Sequence, residues 1–236
     1  MNTFTDQHIL VVGGSSGIGL ATAKAFAAAG AQVTIASRSA GKLREAADAI
    51  GHGARAVELD TADNVAVEAL LGGQTWDHVV VSAAKTPGGP VRQLSLDDAY
   101  AAMESKFWGA YRVARAAKIR DGGSLTLVSG FLAVRPSATS VLQGAINAAL
   151  ESLVRGLALE FSPIRVNAVS PGVIRTPLWN GMDEATRSAF FASAAGKLPA
   201  KRVGEAEDIA NAVLYAAGTG FTTGSTITVD GGGSIA

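Results

Sequence analysis

The chain has no cysteine among its 236 residues. Disulfide cross-links, thiolate nucleophiles and zinc–thiolate centres are therefore excluded. Histidine is scarce as well. His8, His52 and His78 fall near strand starts or on a distal turn, where they read as surface or strand-end residues. Charge of one sign is not in excess, since 20 Lys and Arg balance 20 Asp and Glu, and no basic run exceeds two residues. No nucleic-acid or membrane surface is expected from such a balance. Apolar runs fall well short of the roughly 18 residues that span a bilayer. The first residues lack a basic segment leading into a long apolar stretch, so the expectation is a cytoplasmic protein without a metal site.

Glycine, by contrast, is abundant at 28, and apolar residues reach 48%. That pairing suits fully buried parallel strands joined by tight turns. Short β-branched runs alternate with alanine-rich helical patterns along the whole chain. Strands are predicted at 8–12, 32–36, 55–59, 78–82, 124–129, 164–170 and 226–230. Helices are predicted at about 17–29, 41–50, 62–71, 96–119, 138–161, 183–195 and 205–217. Strands separated by helices imply right-handed crossovers and a parallel sheet covered on both faces, a doubly wound α/β fold in one domain over 1–236. Gly- and Pro-containing stretches at 85–90 and 171–177 follow strands, at the carboxyl edge where such folds bind ligands.

The first strand runs into Gly13-Gly14-Ser15-Ser16-Gly17-Ile18-Gly19 and then into a helix. Glycine lacks the Cβ that would keep a pyrophosphate from the backbone N–H groups and the helix N-terminus. The second strand ends in Ser37-Arg38-Ser39, where an acidic residue would select the ribose 2′-hydroxyl of NAD. A guanidinium between two hydroxyls suits a 2′-phosphate instead, a contact worth about 1.5–3 kcal/mol in favour of NADP(H). A surface arginine at a strand end is the competing reading of Arg38. Asp60, followed by Thr61, has two roles open to it: a bond to the adenine amino group, or the N-cap of the next helix.

Together GGSSGIG, the Asp60 strand end, VNAVSPGVIRTP (166–177) and TGSTITVDGG (223–232) resemble the short-chain dehydrogenase/reductase family over about residues 7–233. The resemblance implies a Rossmann-type sheet of seven strands and nicotinamide binding. It also implies a homo-oligomer, tetramer or dimer, packed through helices 96–119 and 138–161. Gly13, Gly17 and Gly19 would line the pyrophosphate, with Ser15, Ser16 and Ile18 in the same loop and Ala83 after the fourth strand. Pro171, Gly172, Ile174 and Thr176 would seat the nicotinamide.

The family's Asn, Ser, Tyr and Lys are all replaced in this alignment. Asn147-Ala-Ala-Leu-Glu-Ser-Leu153 lies on the usual K-A-A-L-E-x-L, which puts Asn147 at the lysine position and Gln143 at the tyrosine position. The serine position falls on Gly130, beside Ser129, and the asparagine of N-x-x-G falls on Lys106. Lysine and asparagine have thus traded places. Lys106, Gln143, Asn147 and Ser129 are the candidate catalytic residues. Lys106 is read either as the source of the pocket's positive charge and proton, or as a solvated helix-face or interface lysine. Gln143 can donate a hydrogen bond to a carbonyl but cannot deliver a proton.

A substrate lid is expected over about 177–203. Trp179, Met182 and Phe131 would form apolar walls, with Leu132 beside Phe131, and Phe190 and Phe191 either joining them or packing the lid. The resulting expectation is an NADP(H)-dependent oxidoreductase acting on a small or medium apolar carbonyl, enone or imine. The other reading is an inactive NADP(H)-binding sensor or scaffold.

Overall fold

The computed structural model describes residues 4–236. β1 (His8–Val12), β2 (Gln32–Ser37), β3 (Arg55–Glu58), β4 (Trp76–Val81), β5 (Ile119–Val128), β6 (Arg165–Pro171) and β9 (Thr226–Val229) form one parallel sheet in the order β3-β2-β1-β4-β5-β6-β9. Short strands β7 (Ile174–Arg175) and β8 (Gly204–Glu205) pair separately. The helices are α1 (Gly17–Ala28), α2 (Ala40–Ile50), α3 (Asn64–Gly72), α4 (Leu96–Met103), α5 (Gly109–Ala116), α6 (Val141–Glu160), α7 (Glu184–Lys197) and α8 (Ala206–Gly218).

Period-two geometry explains why the strands are apolar throughout. On β1, Leu10 and Val12 join one core, built with β4 to β6 and helices α3, α5 and α6. Ile9 and Val11 point the other way, into a second core with Phe26 of α1 and Ile209 and Val213 of α8. The order reverses between β1 and β4, because the chain runs outward to β3 before returning. That reversal opens a crevice at the carboxyl ends of the two strands.

Three features depart from the sequence pattern. The expected helix 96–119 is not continuous: one turn of π-helix, Glu104–Trp108, separates α4 from α5, and β5 already begins at Ile119. The β7–β8 pair has no counterpart among the expected strands, since two-residue strands carry no periodicity. His78 is neither a surface nor a strand-end residue. It is 4% exposed on β4, its Nδ1 and Nε2 lie 2.8 Å from Ser124 Oγ and 2.9 Å from Gln7 Oε1, and it stacks on Phe26. Alternation within a hydrophobic strand hides a histidine that two hydroxyl or amide partners satisfy.

Arg165 is buried at the start of β6, where its guanidinium donates to the carbonyls of Ala216 (2.6 Å) and Thr219 (3.0 Å). Those oxygens end α8 and have no partner within the helix, so a cation there satisfies them and complements the helix dipole. Burial lowers the Arg165 pKa from its ordinary value.

Burial, then Arg165, lower the His78 pKa from 6.5 to about 4, with Asp77 opposing and Arg120 adding to the fall. The unfolded chain therefore binds this proton first. Stability is full above pH 6.5 and is lost as the pH falls toward 4, by about 3 kcal/mol across the window. Urea unfolding is expected to register about 2 kcal/mol of that loss between pH 6.5 and 5, before most carboxylates titrate. His78→Gln should flatten this slope; an unchanged slope would assign the acid sensitivity to other groups.

Candidate active site

The crevice is assembled by backbone contact. Gly13 leaves β1 with φ +88°, and a Cβ there would stand 2.5 Å from the backbone nitrogen of Ala83, just past β4. Only glycine permits both the positive φ and that approach. Gly17 also has a positive φ, +51°, and a Cβ there would lie 3.4 Å from Thr176. The glycine loop, Ala83 and the segment after β6 thus meet at one edge of the sheet, although they are far apart in sequence. Pro171 ends β6, Gly172 donates from its N–H to Val229 O (3.0 Å), and Ile174 is buried on β7.

The N-terminus of α1 fits an anionic ligand. Ser16 occupies the N-cap without a side-chain hydrogen bond, and the first turn contains no acidic residue, so the N–H groups and the positive end of the dipole stay available. At the end of β2 the Ser37 hydroxyl is buried without a partner among the described residues. Arg38 beside it is exposed and makes no ion pair among the described residues. Asp60 Oδ1 accepts from the Ala62 N–H (3.0 Å), whereas Asp63 caps α3, so the capping role open to Asp60 belongs to its neighbour. Thr61 is covered by the α5 start: a Cβ on Gly109 would lie 2.7 Å from its Oγ1. These donors, the glycine cradle and the orphaned hydroxyl fit a dinucleotide.

Two of the candidate catalytic residues, Asn147 and Ser129, meet Lys106 directly. Its Nζ donates to Asn147 Oδ1 (2.6 Å) and to the Ser129 carbonyl (2.8 Å). Lys106 sits inside the π turn, and Asn147 is 4% exposed on α6. Burial lowers the Lys106 pKa from 10.5 to about 8, with the Glu151 carboxylate opposing the fall. Lys106 is therefore half-buried and held by two acceptors, not freely solvated along a helix face.

The Ser129 hydroxyl is not offered to the crevice. It is turned into the interior, donating to Glu151 Oε1 (2.8 Å), and only the residue's carbonyl faces Lys106. Gln143, one turn before Asn147 on α6, donates from Nε2 to the Pro87 carbonyl in the 85–90 loop. A carbonyl can only accept, so the amide orientation follows from the chemistry. Gln143 Oε1 is buried and has no partner among the described residues, and one of the two amide N–H groups is committed to Pro87.

On the substrate side Trp179 closes a short 3₁₀ turn, Pro177–Trp179, and its indole N–H donates to Ile174 O (2.8 Å). Its ring packs against Phe190, with centroids 4.7 Å apart, and Phe191 carries the Arg175 guanidinium at 4.5 Å. Trp179, Phe190 and Phe191 are therefore a cluster that holds α7 onto the body. Met182 and Phe131 are half-buried, close in sequence to this cluster and to β5 respectively. A cleft of about 670 Å³ does open beside α7, lined by Phe191, Arg202 and Asp208 among others, but none of the candidate catalytic residues lines it.

Glu151 is the residue that sequence reasoning missed. It was visible only as part of the K-A-A-L-E-x-L match, and helical spacing alone gives no sign that its carboxylate is buried.

Residues 12–234 match the family model described as enoyl-(acyl carrier protein) reductase. A short-chain dehydrogenase/reductase of Acremonium sp is 31% identical over 252 residues, covering 97% of this chain and 95% of that protein. The crystal structure of a small-chain dehydrogenase in complex with NADPH aligns with a TM-score of 0.84 at 34% identity, covering 98% of this chain and all of that one. The NADPH-bound short-chain oxidoreductase of Pseudomonas aeruginosa PAO1, which contains an atypical catalytic center, aligns with a TM-score of 0.90 at 29% identity over 97% of this chain and 98% of that one. This chain belongs to the short-chain dehydrogenase/reductase family of oxidoreductases. Among the described residues no helix is long and apolar enough to cross a membrane.

A Cβ added to Gly130 would come within 2.7 Å of Asn147 Nδ2. Gly130→Ser is therefore expected to push the Asn147 amide aside and break its bond to Lys106. Thermal or urea unfolding should show a loss of about 1–3 kcal/mol; a neutral substitution would mean that the amide has room to move.

Proposed function

We propose that this chain is an NADP(H)-dependent oxidoreductase that transfers hydride to a small or medium apolar carbonyl, enone or imine, with Lys106 as the proton donor. The hydrogen-bonding of Lys106 carries the reading. An ammonium has three N–H groups. Two are anchored by Asn147 Oδ1 and Ser129 O, and the third has no partner among the described residues. Losing the third proton leaves a neutral amine whose two remaining hydrogens keep both anchors. The group can thus give up and regain one proton without moving. A pKa of about 8 places that exchange near neutrality, where general acids work best.

The division of labour follows from placement. Gly13, Ser15, Ser16, Gly17, Ile18 and Gly19 would hold the pyrophosphate against the start of α1, Ser37 and Arg38 the 2′-phosphate, and Asp60, Thr61 and Ala83 the adenosine end. Pro171, Gly172, Ile174 and Thr176 would seat the nicotinamide, which supplies the hydride when bound. Lys106 protonates the oxygen or nitrogen of the reduced bond, or the carbon α to the carbonyl of an enone. Asn147 and the Ser129 carbonyl hold its amine in place. Gln143 fixes the 85–90 loop over the crevice through Pro87. Phe131, Met182 and the Trp179 cluster exclude water. This arrangement would serve the role that the family resemblance assigns to a tyrosine and a lysine. Exposed Trp108 and Tyr111, at 44% and 41%, fit a homo-oligomer packed through α4, α5 and α6.

Fluorescence titration should show saturable NADPH binding, weakened roughly tenfold to a hundredfold by Arg38→Ala, while NADH binding stays within about threefold. Equal loss for both nucleotides would remove the case for a phosphate contact.

For a turned-over substrate, the reduction rate should fall as the pH rises through about 8, because the ammonium is the acid form. Lys106→Met should lower the rate by about 10²–10⁴ at pH 7 and abolish that limb of the profile. Wild-type turnover in Lys106→Met would overturn the assignment.

A further inference from the structure

We propose that Glu151 is the positioning residue of this site: through Ser129 it supplies the buried negative charge that keeps the Lys106 amine protonated and in place. The inference rests on the assignment of Lys106 as the proton donor for its catalytic meaning, although not for its electrostatics.

Glu151 lies one turn after Asn147 on α6 and is 8% exposed. Its Oε1 accepts from Ser129 Oγ at 2.8 Å, and the Ser129 carbonyl accepts from Lys106 Nζ at 2.8 Å. Ser129 thus touches the carboxylate with its side chain and the ammonium with its backbone. Asn147, on the same helix as Glu151, touches the ammonium from another direction at 2.6 Å. Together α6 and the end of β5 form a rigid cage with an anion on its buried side and a cation on the other. A carboxylate this deep is costly unless paired, and a buried ammonium is costly as well, so each offsets part of the other's desolvation.

No other ionisable group among the described residues is placed for this role. On the π turn that carries Lys106, Glu104 is committed to Arg112 at 2.6 Å. On the 85–90 loop the charged residue is Lys85, whose backbone N–H is bonded to Ser105 Oγ at 2.8 Å, and its side chain is exposed. The part of β6 that meets Ser129 offers only the Val169 carbonyl, at 3.4 Å from Ser129 Oγ. The carboxylate of Glu151 is also the charge that holds the Lys106 pKa up against burial.

The test reads the lysine directly. Protein carrying ¹³Cε-labelled lysine is titrated by NMR, and the Lys106 resonance is identified by its absence in Lys106→Met. Its midpoint is expected near 8 in the parent protein. Glu151→Gln keeps an acceptor for Ser129 but removes the charge, and should lower the midpoint by about one pH unit. Glu151→Asp, which keeps the charge, should restore most of it. Ser129→Ala leaves the carboxylate in place but removes the hydroxyl that anchors it toward Lys106, and should move the midpoint in the same direction by a smaller amount. A purely structural role would lower the unfolding temperature and leave every midpoint in place, and that result would overturn the proposal. The pH profile of turnover separates the two claims. A midpoint that moves in the NMR titration while the turnover limb stays put upholds the electrostatic role of Glu151 and removes Lys106 from the chemistry.

Discussion

Everything at this site depends on the close approach of two strand ends, β1 and β4, at the point where the sheet order reverses. Parallel strands buried on both faces leave their carboxyl ends as the one open edge. There Gly13 meets the backbone of Ala83 at a distance no side chain would tolerate, and Gly17 meets Thr176. The second core, with Phe26 of α1 and Ile209 of α8 against Ile9 and Val11, fixes the α1 N-terminus over the same edge. A loop, a helix dipole and the segment after β6 are brought together as a consequence of sheet packing.

A second constraint is the cost of a buried charge. Lys106 lies on a π turn, which inserts one residue into an otherwise regular helix and leaves its amine part-buried. The ammonium could not remain there without acceptors. Asn147 Oδ1 and the Ser129 carbonyl provide them, while the Glu151 carboxylate accepts from the Ser129 hydroxyl behind them. Gly130 belongs to the same arrangement, because any larger residue would collide with the Asn147 amide. Lys106, Asn147 and Gly130 therefore act as one unit: the amine needs the Asn147 acceptor, and the Asn147 amide needs an empty place at Gly130.

The substrate side follows different physics. Trp179, Phe190 and Phe191 are tied together by ring contacts and by the indole bond to Ile174, so α7 rides on the β7 segment that also precedes Thr176. The segment from Pro177 through α7 and the stretch that ends at Thr176 are thereby mechanically continuous.

The seven sheet strands and the helices were legible because buried parallel strands leave long apolar runs and covering helices leave alanine-rich ones; boundaries such as 8–12 agree to the residue. The glycine loop was legible for a related reason, since a backbone approach leaves glycine as its only trace. The residues Lys106, Gln143, Asn147 and Gly130 drew attention in the sequence only through the family resemblance, and their contacts were not legible there. That Lys106 bonds Asn147, that Ser129 turns its hydroxyl inward to Glu151, and that His78 is a satisfied interior residue were decided by tertiary structure alone. Hydrogen bonds between residues 41 or 46 positions apart leave no periodic pattern in a chain. Periodicity records which face of an element is buried, and only packing decides what each polar group finds when it arrives there.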